Sequence, residues 1–159
     1  MGVDIRQARE EEIDEIILLF DEGDLFHREG LPDVFIETDD PPWSKEYVLA
    51  HMRNPGSILY VAEDGSKIIG FAFAITWKTP DFPIFKHRVF ASVENVYIKP
   101  EYRGSGLGLE MMYKLEDWAR EKGFDTVQLN VWEFPGCASD FYKKMGYKTQ
   151  SRIMKKTLD

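Results

Sequence analysis

One stretch limits the architecture of this chain more than any other. A strand-like run, Val89 to Lys99, is followed by Arg103-Gly104-Ser105-Gly106-Leu107-Gly108 and then by a helix pattern. Leu107, Met111, Leu115, Trp118 and Ala119 recur on one helical face, and Gly123 ends it. Backbone N–H groups of a glycine loop at a helix start form an anion cradle. Glycine at 104, 106 and 108 lets the backbone approach a phosphate closely. A dinucleotide fingerprint needs glycine where this chain has Leu109, and a phosphoryl-transfer loop needs a lysine that this loop lacks. The loop suits a phosphate that is gripped and left intact.

The remainder predicts a mixed α/β sheet flanked by helices. Val3 to Ala8 alternates as a short strand, and Glu10, Glu11 and Glu12 suit the positive end of a helix carrying Ile13, Ile16, Ile17 and Phe20. From Gly23 to Pro42 the pattern breaks at Gly30, Pro32, Pro41 and Pro42, which reads as a long acidic loop with at most a helical turn near Leu25 to Arg28. Ser44 caps the next helix, with Trp43 placed to staple against Val48, and Asn54-Pro55-Gly56 stops it. Ser57 to Glu63 and Lys67 to Thr76 form a hairpin around Asp64-Gly65-Ser66. Thr126 to Trp132 reads as a buried strand and Gly136 to Met145 as a short helix. Tyr147 onward reads as one or two final strands. The expected order is β-α-α-β-β-β-α-β-α-β, in one domain over residues 1–159.

Charge narrows the partners. A net charge of −8 would repel a phosphate backbone, so nucleic acid is not expected as a partner. No run is long enough to predict a membrane span, and the first residues lack the apolar stretch of a signal peptide. Cys137 is the only cysteine, which fits a reducing compartment. A cytoplasmic protein is expected. His27, His51 and His87 are too scattered for metal-ligand spacing, so no metal is expected. The acidic run from Asp21 to Asp40 reads either as a solvated surface or as a negative mouth for a cationic molecule.

The segment from Val96 to Gly108 closely resembles motif A of the GCN5-related N-acetyltransferases, whose signature is met by Arg103, Gly106 and Gly108. Leu129 to Phe134 resembles that family's fifth strand. Ala138, Phe141, Tyr142, Gly146 and Tyr147 resemble its motif B. The likeness is strong from Ile58 to Tyr147 and loose before that. It implies acetyl-CoA bound in a V-shaped gap between the fourth and fifth strands. Backbone groups of Val96, Tyr97 and Ile98 would pair with the pantetheine arm, and Arg103, Gly104, Ser105, Gly106, Leu107 and Gly108 would take the pyrophosphate. Pro135 departs from the pattern: many relatives have Asn there, and Pro135 has no side-chain or backbone N–H to donate. The family is often dimeric, so a homodimer is an expectation.

Acetyl transfer to an amine needs a base, since a lysine-like ammonium at pH 7 costs roughly 4–5 kcal/mol to deprotonate. Glu94 is the candidate. Val89, Ala91 and Val93 share one phase along their strand, Val96 and Ile98 the other, and such a slip predicts a β-bulge that re-aims a side chain. Relatives place a glutamate at the corresponding position. Tyr142 is the candidate acid for the departing thiolate, the role the family gives that tyrosine, although helical spacing with Ala138, Phe141 and Met145 also fits a core position. The acceptor expected is a small cationic amine. A protein or peptide amine, and a non-catalytic acyl-CoA sensor, stay open as alternatives.

Overall fold

The computed structural model describes residues 2–40 and 42–159; Met1 and Pro41, one of the prolines read as breaking the acidic loop, lie outside the described residues. Strands β1 (Asp4–Gln7), β2 (Ser57–Asp64), β3 (Lys67–Lys78), β4 (Val89–Ile98) and β5 (Val127–Leu129) form one mixed sheet in sequence order. The first three pairings are antiparallel, and β5 runs parallel to β4. Helices α1 (Ile13–Gly30) and α2 (Lys45–Arg53) cover one face, while α3 (Leu107–Glu121) covers the other. A short helix, α4 (Ser139–Lys144), follows β5.

Alternation along β2 and β3 explains the two-sided burial. Leu59, Val61, Phe71 and Phe73 pack with Ile16, Leu19 and Phe20 of α1. Ile58, Ala62, Ile69, Ala72 and Ala74 pack with Met111, Met112, Leu115 and Trp118 of α3. Each fully buried large side chain among them contributes about 1.5–3 kcal/mol relative to an exposed one. Ser44 caps α2 as expected, its Oγ accepting from the Tyr47 N–H at 3.1 Å. Trp43 packs against the cluster that holds Val48, its ring tilted against Phe20 with centroids 4.7 Å apart, and its indole N–H donates to Asp24.

The phase slip in β4 is a bulge. Phe73 pairs with Asn95 and the next residue, Ala74, pairs with Val93, so Glu94 is the extra residue. Beyond that point β4 and β5 part company, because their last register pair is Val93 with Leu129. A bulge bends and twists its strand, which is why the parallel pair cannot continue.

Three expectations need correction. The acidic segment is not a loop from Gly23: α1 continues to Gly30 as one 18-residue helix. Strand β5 is shorter than the run from Thr126 to Trp132 and only half-buried, since one edge ends at the splay and the other has no strand beside it among the described residues. The segment after Tyr147 forms no strand. It has no regular secondary structure and is exposed from Ser151, with contacts from Gln150 to Gln128, Arg152 to Glu133 and Lys155 to Asp33. Side-chain contacts of that kind leave the tail's backbone to water.

Buried phenols give the fold an alkaline limit. Burial, and then the bond to Glu22, push Tyr97 up to about 12. Burial alone pushes Tyr142 up to about 12. Between about pH 10, where an exposed tyrosine ionises, and pH 12 the folded state therefore holds more protons than the unfolded one. The stability these groups support is complete below about pH 10 and falls as pH rises toward 12. Thermal midpoints measured from pH 9 to 12 should fall over that window and fall less in a Tyr97→Phe, Tyr142→Phe double variant. Equal slopes in the two proteins would contradict this account.

Candidate active site

The splay of β4 and β5 opens a cleft of about 250 Å³. Its floor is Val93 to Ile98 on one strand and Leu129 to Trp132 on and after the other. Arg103 stands at one end, and Tyr142 and Cys137 come from the segment behind β5. Glu94, Tyr142, Val96, Tyr97, Ile98 and Arg103 therefore meet in one cavity, although the sequence spreads them over 49 positions, from 94 to 142.

At the glycine loop, a tight turn over Pro100–Tyr102 leads out of β4, and the Tyr102 phenol donates to Asp64 at 2.9 Å, pinning it to the β2–β3 hairpin. Gly104 and Gly106 take φ of +77° and +91°, conformations that side-chain-bearing residues avoid. A Cβ on either would meet no protein atom, so their second role is to leave the approach open. Gly108 differs: a Cβ there would come 3.3 Å from the tip of the Ile98 side chain and 3.5 Å from Phe141, so α3 packs closely on β4 and α4 at this point. Arg103 N–H bonds to Pro100, and the next backbone N–H to find a backbone acceptor among the described residues is that of Glu110, to Gly106. The N–H groups from Gly104 to Leu109 thus form an unsatisfied set at the positive end of α3, suited to an anion. The Ser105 hydroxyl is already spent on the Tyr102 carbonyl at 2.7 Å.

The side chain of Arg103 spans the cleft mouth. Its Nε donates to the Ile98 carbonyl at 2.9 Å, and its guanidinium lies 5.5 Å from the Phe26 ring centre and 5.6 Å from that of Tyr97. This leaves the outer nitrogens available for a phosphate. It also takes one lone pair of the Ile98 carbonyl, leaving the other for a further donor.

Glu94 is exposed on the sheet face that α1 and α2 cover, where its carboxylate accepts from the Ser92 hydroxyl at 2.7 Å. Tyr47 of α2 lies near enough for that charge to help raise its phenol, after the larger effect of its own burial. Tyr142 packs edge-on to Phe141 and Tyr147 at 5.1 and 5.8 Å, so it is both a core residue and a cleft residue.

One wall escaped the sequence reading. Gly23, Phe26, His27 and Gly30 sit at i, i+3, i+4 and i+7, a single face of α1, and that face roofs the cleft. The Tyr97 ring lies against the helix at Gly23, and the Tyr97 phenol donates to Glu22 one residue away at 2.8 Å. Gly30 faces Phe134 so closely that a Cβ would fall 2.3 Å from its ring. The signal was present in the spacing, but two glycines and the prolines that follow read as helix breakers. The acidic run is correspondingly less free than the sequence suggested. Glu22 is held by Tyr97 and Lys99, Asp24 by Trp43 and Asp33 by Lys155. Burial raises the Asp24 carboxyl, with the Trp43 bond opposing it.

Trp77, Phe82 and Phe85 are exposed around the β3–β4 connection and line no part of this cleft. His51 meets the Ser57 hydroxyl at 3.2 Å, and His87 is exposed near Asp81. Among the described residues, no three His, Cys, Asp or Glu side chains gather as a metal site, and no helix is long and apolar enough to cross a membrane.

A five-stranded sheet split after a bulge, with an anion cradle at one end of the split, defines the class. The sequence profile of the Acetyltransferase (GNAT) family matches residues 23–147, and the chain belongs to that family. It is 39% identical over 54 residues to the bovine thialysine N-epsilon-acetyltransferase, a match covering 34% of this chain and 32% of that enzyme. The chain thus spans about a third of the length of that curated relative. Its fold superposes on a variant of the BH1408 protein of Bacillus halodurans with a TM-score of 0.88 at 22% identity, covering 98% of this chain and 99% of the other. A predicted acetyltransferase of Clostridium acetobutylicum, solved with acetyl-CoA, gives a TM-score of 0.77 at 20% identity, covering 98% and 96%.

Proposed function

We propose that this protein transfers acetyl from acetyl-CoA directly to the primary amine of a small cationic molecule. The observation that carries the reading is the cleft itself. It begins where β4 and β5 separate, reaches Arg103, the residue before the unsatisfied N–H groups of Gly104 to Leu109, and is lined by both Glu94 and Tyr142. An elongated donor with an anionic end fits that shape, its pyrophosphate at the loop and Arg103, its pantetheine arm along the open edge of Val96 and Tyr97. The bovine relative, named for acetylating thialysine, supports an amine acceptor.

The chemistry follows from the residues. Glu94 takes a proton from the ammonium, directly or through water, and the freed amine attacks the thioester carbonyl. Backbone N–H groups of the β4 edge stabilise the developing oxyanion. Tyr142 donates a hydrogen bond to the departing sulfur. With its pKa near 12 the phenol stays protonated at neutral pH. Full transfer to a thiolate with a pKa of about 8.5 would be uphill by roughly 5 kcal/mol, so the phenol stabilises the leaving sulfur chiefly by that bond.

Acetyl-CoA should raise the melting temperature by several degrees at concentrations well above its Kd. Thiol release should then appear with at least one member of a panel of polyamines, aminoglycosides, amino acids and peptides. No thermal shift at millimolar acetyl-CoA would remove the donor assignment; a shift with silence across the panel would favour an acyl-CoA-binding sensor.

A further inference from the structure

Of the polar side chains in the cleft that the reaction above does not use, Asn95, Asn130 and Cys137 belong to its floor and back, and His27 alone belongs to α1. His27 lies on the roof helix, half-buried, with its ring edge-on to Phe26, Phe35 and Phe134 at 5.7, 5.9 and 6.0 Å. Its Nδ1 is 3.0 Å from the Gly23 carbonyl. A carbonyl can only accept, so Nδ1 carries the proton, and in the neutral ring Nε2 is left as a bare acceptor. Nε2 makes no hydrogen bond among the described residues. The ring's orientation is thus fixed twice, by packing and by the Gly23 bond.

We infer that His27 recognises the acceptor, taking a hydrogen bond from its amine or ammonium N–H on Nε2. The inference rests on the reading that an amine enters this cleft. The amide groups of a pantetheine arm have the opened β4 edge as their partner, on the floor. His27 faces the cavity from the roof, on the side of the sheet that also carries Glu94. Aromatic faces beside it, with Trp132 next along at 5.1 Å from Phe35, favour a cation at the same place.

The arrangement makes acceptor binding depend on pH. A neutral imidazole accepts from the incoming ammonium, while an imidazolium has only donors and repels it. The charged neighbours are few. On the same helix, Asp24 and Arg28 lie within one turn. Across the cavity stand Glu94, Tyr97 and Arg103 from β4 and its loop, with Cys137 and Tyr142 behind β5. Asp33 and Glu133 lie near Phe35 and Phe134 in sequence but are engaged with Lys155 and Arg152. No carboxylate among the described residues pairs with the His27 ring.

Calorimetry on the protein saturated with CoA, using spermidine and L-lysine as probes, tests this. Affinity for at least one probe should rise about tenfold on going from mildly acid to neutral solution, since only the neutral ring can accept. In His27→Gln, which keeps a polar group but cannot titrate, the profile should be flat. His27→Phe should bind the probe about tenfold more weakly at the upper pH, close to the loss of one such hydrogen bond. The thermal shift with acetyl-CoA should be the same in all three proteins. A pH limb that persists in His27→Gln overturns the inference, as does a reduced acetyl-CoA shift in either variant, which would put His27 on the donor side. Failure of both probes to bind overturns it too, while an intact acetyl-CoA shift leaves the donor reading standing.

Discussion

Tyr142→Phe should lower kcat for acetyl transfer by about 10²-fold, the lower end of what one hydrogen-bond donor aimed at developing charge contributes. The same factor should appear in kcat/KM, because a bond to sulfur that strengthens as the thiolate departs belongs to the transition state alone. Stability should hardly change. The phenol makes no hydrogen bond among the described residues, so removing it orphans no partner, and the ring keeps its contacts with Phe141 and Tyr147. Steady-state thiol release and a melting curve check both halves. A variant that retains most of its kcat would reduce Tyr142 to a packing residue. A variant that loses acetyl-CoA's thermal shift would show that the phenol holds the donor in its ground state.

Glu94→Gln tests the other end of the reaction. The amide is isosteric and can still accept from the Ser92 hydroxyl, so the bulge should survive. Activity at pH 7 should fall by about 10²-fold, and the deficit should shrink as pH approaches the amine's own pKa, about 10 for a lysine-like acceptor. Above that value the amine arrives neutral and needs no base. A deficit that stays constant across pH would take Glu94 out of proton transfer and leave it a binding role. The two substitutions act on different protons, so their pH profiles should differ even where their rate losses match.

How legible the site was depended on how local its causes are. The bulge at Glu94 could be read from β4 alone, because a single extra residue reverses the phase of every side chain after it. The helix cap at Ser44 was equally local. The continuation of α1 through Gly23 was not, because what packs on that turn lies 74 positions away, in the Tyr97 ring. Gly30 likewise makes sense only beside Phe134. A glycine in a sequence signals freedom; the same glycine in a packed helix signals the closeness of something else.

The sequence by itself determined the glycine loop. Arg103 to Gly108 owes its free N–H groups and positive φ angles to six consecutive residues and the helix after them, without distant help. Tertiary structure alone decided the roof of the cleft and the acidity of the groups around it. Only packing turns α1 into a roof, brings His27 into the same cavity as Glu94, and engages Glu22, Asp24 and Asp33 of the acidic run with Tyr97, Trp43 and Lys155. Only burial lifts Tyr142 to about 12. Desolvation and distance are sums over the whole fold, and no short stretch of residues contains them.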